Sequence, residues 1–523
     1  MKKMRLKTFA SMVVHKELTS SKQKSVKVRA ERNLLGQLLL LCQSHDISFD
    51  KLFKYPLAPV PWSLATADGS MCKTDKAQLL HAMSTEGFES QPDSCVYIVD
   101  GNALLYTIVN LPTTVGDFAR VIFNYLPKAA VVHFVTDSYI KHSIKESERQ
   151  RRGTSAAYMI GGPSTKMQRN FASFMKNSDN KRQLLQFILC EWRQPAYASK
   201  LFGHTILFVC EESCVELRSE DGITVTSTEI TDLRSTQEEA DTRIILHCLY
   251  AAEHQVNDST NCLVIKSPDT DVFVILLSYA SEIKARILFE TGTGSNHRLI
   301  SVNKIVDVIG HDVAYALPAL HAFTGCDSTS AFVRKGKKQP LKLLKSRPEF
   351  VEAFSTLGQV ADVVDDMLFC KLEHYVCLLY STGNIVDINK VRSTMFQSRY
   401  SIGLPQSMLS ARSSGIDLSL LPPCRGSLRK HALRANYQAF IWRHAHIAEL
   451  ELPSPIGCGW NVKDDTLKID WVDGDIIPTQ LVDILAEQSS DDDVQEAEED
   501  DVVDNIIDDI FYDDEDDDYI SNI

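Results

Sequence analysis

The stretch Cys95-Val-Tyr-Ile-Val-Asp100-Gly-Asn102 puts five apolar residues in a row and closes them with an acid and a turn pair. A short apolar run bounded in this way reads as a strand buried on both faces, the kind that builds parallel sheets. Four further stretches read alike: Ala130-Val-Val-His-Phe-Val-Thr-Asp137, Thr205-Ile-Leu-Phe-Val-Cys210, Cys262-Leu-Val-Ile-Lys266 and Arg286-Ile-Leu-Phe-Glu290. Helical patterns separate them around 116–126, 141–153, 181–193, 237–254 and 303–322. Apolar strands alternating with helices predict an α/β domain with a mostly parallel sheet flanked by helices. Ligands of such sheets bind beyond the carboxyl ends of the strands. Asp100, Asp137 and Asp269 stand at or just after such ends.

The rest of the chain is organised around this domain. Its 523 residues are 44% hydrophobic, enough for a large core and two to four domains. Residues 1–33 are basic and read as a solvated arm, and 34–92 as mixed helix and loop. Past 338 the pattern turns mainly helical. Residues 421–447 suggest one amphipathic helix, capped by Ser427, that buries Leu428, Leu433, Tyr437, Phe440 and Ile441. The expected domains are therefore 1–92, 93–346 with an insertion at about 139–200, a helical region at 347–488, and a tail at 489–523. The net charge of −14 is misleading, because the tail holds 17 Asp and Glu and no Lys or Arg. Without it, 52 acids face 55 bases, a mildly basic body. So concentrated a charge cannot fold alone, and the tail is expected to be disordered. No run of 18 apolar residues spans a membrane, and the start does not read as a signal peptide. The 13 cysteines form no CxxC pair. An intracellular protein with free thiols is expected, the nucleus being open to it, and secretion is not.

Five short segments place acids where chemistry can use them. They are IVDGNALLY (Asp100), HFVTDSY (Asp137), QEEADTRI (Glu239, Asp241), KSPDTDVFV (Asp269, Asp271) and FTGCDSTSAF (Asp327). Four adjoin apolar stretches, where unpaired acids are costly. Converging carboxylates repel one another, and a divalent cation removes that penalty. Oxygen ligands suit Mg²⁺ or Mn²⁺, not zinc. Each segment also has a plain reading. Asp100-Gly-Asn is a turn, Thr236-x-x-Glu239 or Ser235-x-x-Glu238 a capping box, Asp269 or Thr270 a helix cap, and Asp327 a loop acid or N-cap. Singly these win; five independent caps would not need this order and spacing.

The ordered set resembles the flap endonuclease and XPG-like 5′-nuclease family, within the PIN-like fold. Asp100 is similar to that family's first Asp after strand one. Asp137, before the basic stretch SYIKHSIKESERQRR, is similar to the second. Glu239-Ala-Asp241, Asp269-Thr-Asp271 and Gly325-Cys-Asp327 resemble the remaining elements, over residues 94–346. The resemblance implies a nuclease that hydrolyses phosphodiester bonds of DNA or RNA with two Mg²⁺ or Mn²⁺ ions. Asp100, Asp137, Glu239 and Asp241 would hold one ion; Asp269, Asp271 and Asp327 would hold the other. Lys145 and Arg151 would be catalytic, neutralising charge at the scissile phosphate. After Gly-Cys-Asp the family's glycine-rich duplex-holding turn is replaced by VRKGKKQPLKLL, which implies a changed substrate. LPPCRGSLRKHALRANYQAFIW resembles segments of animal proteins that recur in many copies, which implies a mobile-element origin.

Residues 141–200 carry 12 Lys and Arg against 4 acids, with Tyr158, Phe171, Phe174, Phe187 and Trp192 interleaved. As a basic funnel with stacking faces, this arch-like insertion suits nucleic acid of single-stranded or branched character. The plain reading is a solvated helical pair with its aromatics in the core. Two other classes compete with the nuclease. A PIN-like module could bind nucleic acid or protein without cutting. A metal phosphatase on a doubly wound sheet is the third, but Asp100 lacks a DxDxT context.

Overall fold

The computed structural model describes residues 13–21, 25–29, 34–83, 89–90, 92, 94–140, 143–151, 153, 155–256, 262–381, 383–399, 417–463 and 466–492. Most of the acidic tail lies outside them. Two compact units emerge, and their segments interleave instead of following one another as consecutive domains. The smaller is drawn from Met1–Met71, Tyr380–Leu428 and Trp471–Ile523, the larger from Cys72–Leu379 and Arg429–Asp470.

In the smaller unit, part of the expected basic arm is an antiparallel hairpin, β1 (His15–Thr19) and β2 (Ser25–Arg29), with His15 opposite Arg29. Leu18 and Val28 face inward and join a core that includes Leu38, Phe53, Phe396 and Ile477. The buried Arg392 guanidinium donates to the carbonyls of Phe53, Tyr55 and Pro422, which ties three distant segments together. A buried arginine satisfied by carbonyls avoids the desolvation penalty of an unpaired charge.

The larger unit is α/β around an eight-stranded, mostly parallel sheet. Its strands are β3 (Val96–Asp100), β4 (Val131–Val135), β5 (Thr205–Cys210), β6 (Ser213–Arg218), β7 (Thr226–Glu229), β8 (Cys262–Lys266), β9 (Arg286–Thr291) and β10 (Arg298–Ser301). They lie in the order β10-β9-β8-β3-β4-β5-β6-β7. The five central strands are parallel, and they are the five read from sequence. Antiparallel β10 extends one edge and antiparallel β6 and β7 the other. β11 (Trp460–Lys463) and β12 (Thr466–Ile469) form a separate antiparallel pair.

The helices used below are α1 (Ala77–Met83), α2 (Gly101–Tyr106), α3 (Val115–Tyr125), α4 (Ile144–Arg151), α5 (Ser178–Trp192), α6 (Ala240–His254), α7 (Thr270–Tyr279), α8 (His311–Phe323) and α9 (Arg425–Arg443). Alternate residues of each strand serve opposite faces. Tyr97 and Val99 pack in one core with Phe118 and Ile122 of α3 and Leu185 and Ile188 of α5. Val96, Ile98 and Asp100 take the other face, where α6 packs on β3, β4 and β8. The chain runs from β3 outward through β4, β5 and β6 to β7, then returns to β8 on the opposite side of β3. The carboxyl ends of β3 and β8 therefore flank a topological switch point, where the two halves of a doubly wound sheet open a crevice.

Two helix readings are corrected. The 303–322 pattern is two helices, Val302–Ile309 and α8, broken at Gly310, whose φ of 86° a helix cannot accommodate. α9 starts at Arg425, with the Leu428 N–H donating to the Cys424 carbonyl, so Ser427 lies inside the first turn and does not cap it. Nor is α9 amphipathic: Leu428 and Tyr437 are buried as expected, but Leu433, Phe440 and Ile441 are only half-buried, while His431, Arg434, Asn436 and Gln438 are buried. Their polar atoms reach partners across the helix. His431 meets the Phe323 carbonyl at 2.7 Å, and Asn436 donates to the carbonyls of Val360 and Ala361. No helix among the described residues is long and apolar enough to cross a membrane. All 13 cysteines are free.

Candidate metal centre

Polar and acidic residues stand at or just past the carboxyl ends of β3, β4 and β8, where the crevice lies. Asp100 closes β3, and its Oδ1 accepts the Ala103 N–H at 2.9 Å, capping α2. Its Oδ2 accepts from the Ser267 hydroxyl, just past β8, at 3.1 Å. Asp137 follows β4 and accepts the Ala240 N–H at 2.9 Å, which fixes the start of α6. Glu239 is the N-cap residue of α6 but makes no side-chain cap bond, so neither capping box read from sequence supplies the cap. The turn before it is held instead by Arg243. That buried guanidinium donates to the carbonyls of Gln237 (2.7 Å), Ser235 (2.9 Å) and Glu211. Asp269 caps α7 through the Asp271 N–H at 2.9 Å.

All seven acids gather at this edge. The nearest set is Asp241, Asp269 and Asp271, with one ligand atom from each within 4.8 Å of the others. The grouping differs from the one the resemblance implied, since Asp241 joins Asp269 and Asp271. Asp100 faces the charges of Asp137 and Asp269, and Glu239 those of Asp137 and Asp271. Asp327 neighbours Asp271.

The electrostatics follow from burial and mutual repulsion. Burial, with Asp137 and Asp269 nearby, pushes the Asp100 carboxyl up to about 7. Burial and Asp271 raise Asp269 to about 6. Burial also raises Asp241 well above the carboxylate range, and Glu239 in the same direction. Asp271 and Asp327 go the other way. Burial opposes their charge and is the largest single effect, but Lys76, His321 and Lys145 together outweigh it at Asp271, and Lys145 and Lys76 together do so at Asp327. A site whose acids resist ionising together, and whose donors are all hard oxygens, fits a divalent cation such as Mg²⁺ or Mn²⁺.

Three bases lie among the acids. Lys145 of α4 sits 3.3 Å from Glu239 Oε2. Arg149, one turn on, lies 3.8 Å from Asp137 Oδ2 and 3.1 Å from Glu238 Oε1. Arg151 pairs with Glu148 at 3.3 Å, so Arg149 and not Arg151 is the arginine of this helix that reaches the acids. The third base, Lys76, has no sequence signal: it precedes α1 and reaches Asp269, Asp271 and Asp327 at 3.2, 3.1 and 3.0 Å. His321 of α8 was also missed. Its Nε2 lies 2.8 Å from Asp271 Oδ1, and burial holds the imidazole down to about 4. The neutral ring therefore donates Nε2–H and orients the carboxylate. Lys337, from the segment that departs from the family turn, donates to the His321 and Gly325 carbonyls and the Thr324 hydroxyl, and so shapes the Gly-Cys-Asp loop.

The arch-like segment is corrected in one respect. Phe171, Phe174 and Trp192 are buried in the sheet core, with Tyr158 and Phe187 packed against it, so these rings are not stacking faces. The Trp192 Nε1–H is spent on the Ala119 carbonyl at 3.0 Å. No protein-family model matches the chain, and no curated protein matches it either.

Proposed function

We propose that this chain is a divalent-metal-dependent nuclease of PIN-like, flap-endonuclease type, hydrolysing phosphodiester bonds of nucleic acid. One observation carries the reading: Asp241, Asp269 and Asp271 bring one carboxylate oxygen each within 4.8 Å of the others beside the switch point of a parallel sheet, and Asp100, Asp137, Glu239 and Asp327 are close enough to act on this group and on one another by charge. Asp241, Asp269 and Asp271 would hold Mg²⁺ or Mn²⁺, with Asp100, Asp137, Glu239 and Asp327 around them. Bound there, such ions supply a nucleophile from water and neutralise the oxygens of an in-line displacement. Lys145 and Arg149 border the acids and neutralise a phosphate brought to them. His321 keeps Asp271 in one orientation. The basic residues of 141–200 favour a nucleic-acid substrate through its phosphates. Labelled flap, hairpin and single-stranded DNA and RNA, incubated with Mg²⁺ or Mn²⁺ and with EDTA, test the reading. Cleavage that EDTA abolishes is expected. Intact substrates under every metal condition would leave the non-cleaving binding module in its place.

A further inference from the structure

We infer that Lys76 is a built-in cation that stands in for one of two metal ions, so that the centre takes a single divalent ion. The inference rests on the metal-dependent reading above and changes its stoichiometry. The Lys76 ammonium lies 3.2 Å from Asp269 Oδ1, 3.1 Å from Asp271 Oδ1 and 3.0 Å from Asp327 Oδ1. The ammonium donates to Asp269 and forms ion pairs with Asp271 and Asp327 as well, so one positive charge faces three carboxylates. Asp269 and Asp271 are thus shared. On one side they meet Asp241, in the three-acid set suited to an ion. On the other they meet Lys76 and Asp327. An ion held by Asp241, Asp269 and Asp271 would share two of its carboxylates with the Lys76 ammonium, which would then supply the positive charge that a second ion supplies in a two-metal site.

Lys76 does not reach this place as a loose surface side chain. Its segment is tied to the loop that carries Asp327. The Ala331 N–H donates to the Cys72 carbonyl at 2.8 Å, and Lys73 Nζ to the Asp327 carbonyl at 2.8 Å. On its other side α1 packs against α7, the helix that carries Asp271. The Asp75 carboxylate accepts the Ala77 N–H at 3.0 Å, setting the turn between Lys76 and α1. Both flanks of Lys76 are therefore anchored to the elements that carry its three partners.

Calorimetric titration of the full chain with Mn²⁺, free of nucleic acid, tests the inference without reference to cleavage. Wild type is expected to bind one ion. Lys76→Met and Lys76→Gln remove the charge and should raise the stoichiometry to two, while Lys76→Arg restores a cation and should bind one. Circular dichroism of each variant checks that it is folded. Two ions on wild type, or one ion on every folded variant, would overturn the inference while leaving a metal-dependent nuclease standing. No ion on wild type or any variant would overturn both. Failure to cleave, with the one-to-two change intact, would remove only the nuclease.

Discussion

At the scale of single residues, the acids were legible because their setting is unusual. A carboxylate beside an apolar stretch is costly, and four such segments among the five in one chain call for a shared cause. Their partners were not legible. Lys76 and His321 sit in segments whose local pattern says only that a helix is near, and what they do depends on acids some 50 to 250 residues away. The choice between Arg149 and Arg151 was legible in principle. Residues two apart on a helix point to different sides, and only one could face Asp137. The expected outcome of substitution separates ligand from support. Asp271→Asn and Asp269→Asn should each abolish measurable Mn²⁺ binding and cleavage in a folded protein. His321→Gln leaves the carboxylate but frees its orientation, and should weaken binding by about 10–100-fold. Titration of the three variants measures this. Wild-type affinity in His321→Gln would show that Asp271 needs no orienting partner, and full activity in both Asp variants would sink the metal mechanism.

At the scale of elements, the five parallel strands could be read almost to the residue, because burial on both faces forces continuous apolar runs. The antiparallel edges could not. β7 is Thr-Ser-Thr-Glu and exposed throughout, so its pairing with β6 leaves no apolar signature. α9 misled for the opposite reason: its polar residues look solvent-facing, but His431, Arg434 and Asn436 bind carbonyls inside the protein and Gln438 accepts from the Ser328 hydroxyl. The loop that carries Asp327 turns on Gly325, with φ of 107° and room for a Cβ only 2.7 Å from the Ala331 backbone. Gly310 also has positive φ, but nothing lies within 4 Å of its would-be Cβ. Gly310→Ala should therefore cost only backbone strain, about 1–3 kcal/mol at this positive-φ, extended-ψ position. Gly325→Ala adds a collision with backbone that cannot rotate away, and it should cost more and displace Asp327. Urea unfolding of both variants gives the comparison. Equal losses would mean that the loop yields freely.

At the scale of the whole molecule, stability depends on groups buried without charge, and this makes pH a probe of the fold. His133 of β4 and His247 of α6 are buried with Nδ1 atoms 2.7 Å apart, and His133 Nε2 meets the Gln255 amide oxygen at 2.6 Å. Burial pulls His133 down to about 4, and burial and the neighbouring ring pull His247 well below the usual imidazole value. An unfolded histidine titrates near 6.5. Below that pH the unfolded chain takes up protons that the folded chain refuses. The stability linked to this pair is therefore whole above about pH 6.5 and is lost as pH falls toward 4, by at most about 1.4 kcal/mol per pH unit for each ring. The raised acids act in the opposite sense. Asp100 and Glu238, both lifted to about 7, bind protons first in the folded state, so their contribution is lost as pH rises through 7. The overall pH curve mixes the two, and a variant separates them. His133→Gln removes one refused proton and relieves His247 of its neighbour. At pH 7 the variant should be less stable than wild type, because it loses a packed ring. As pH falls to 4.5 that difference should shrink, since only wild type carries the full cost of two neutral rings. Urea unfolding at half-unit pH steps, in EDTA to keep metal out, measures the gap. A constant or widening gap would show that the pair already carries a proton in the folded protein.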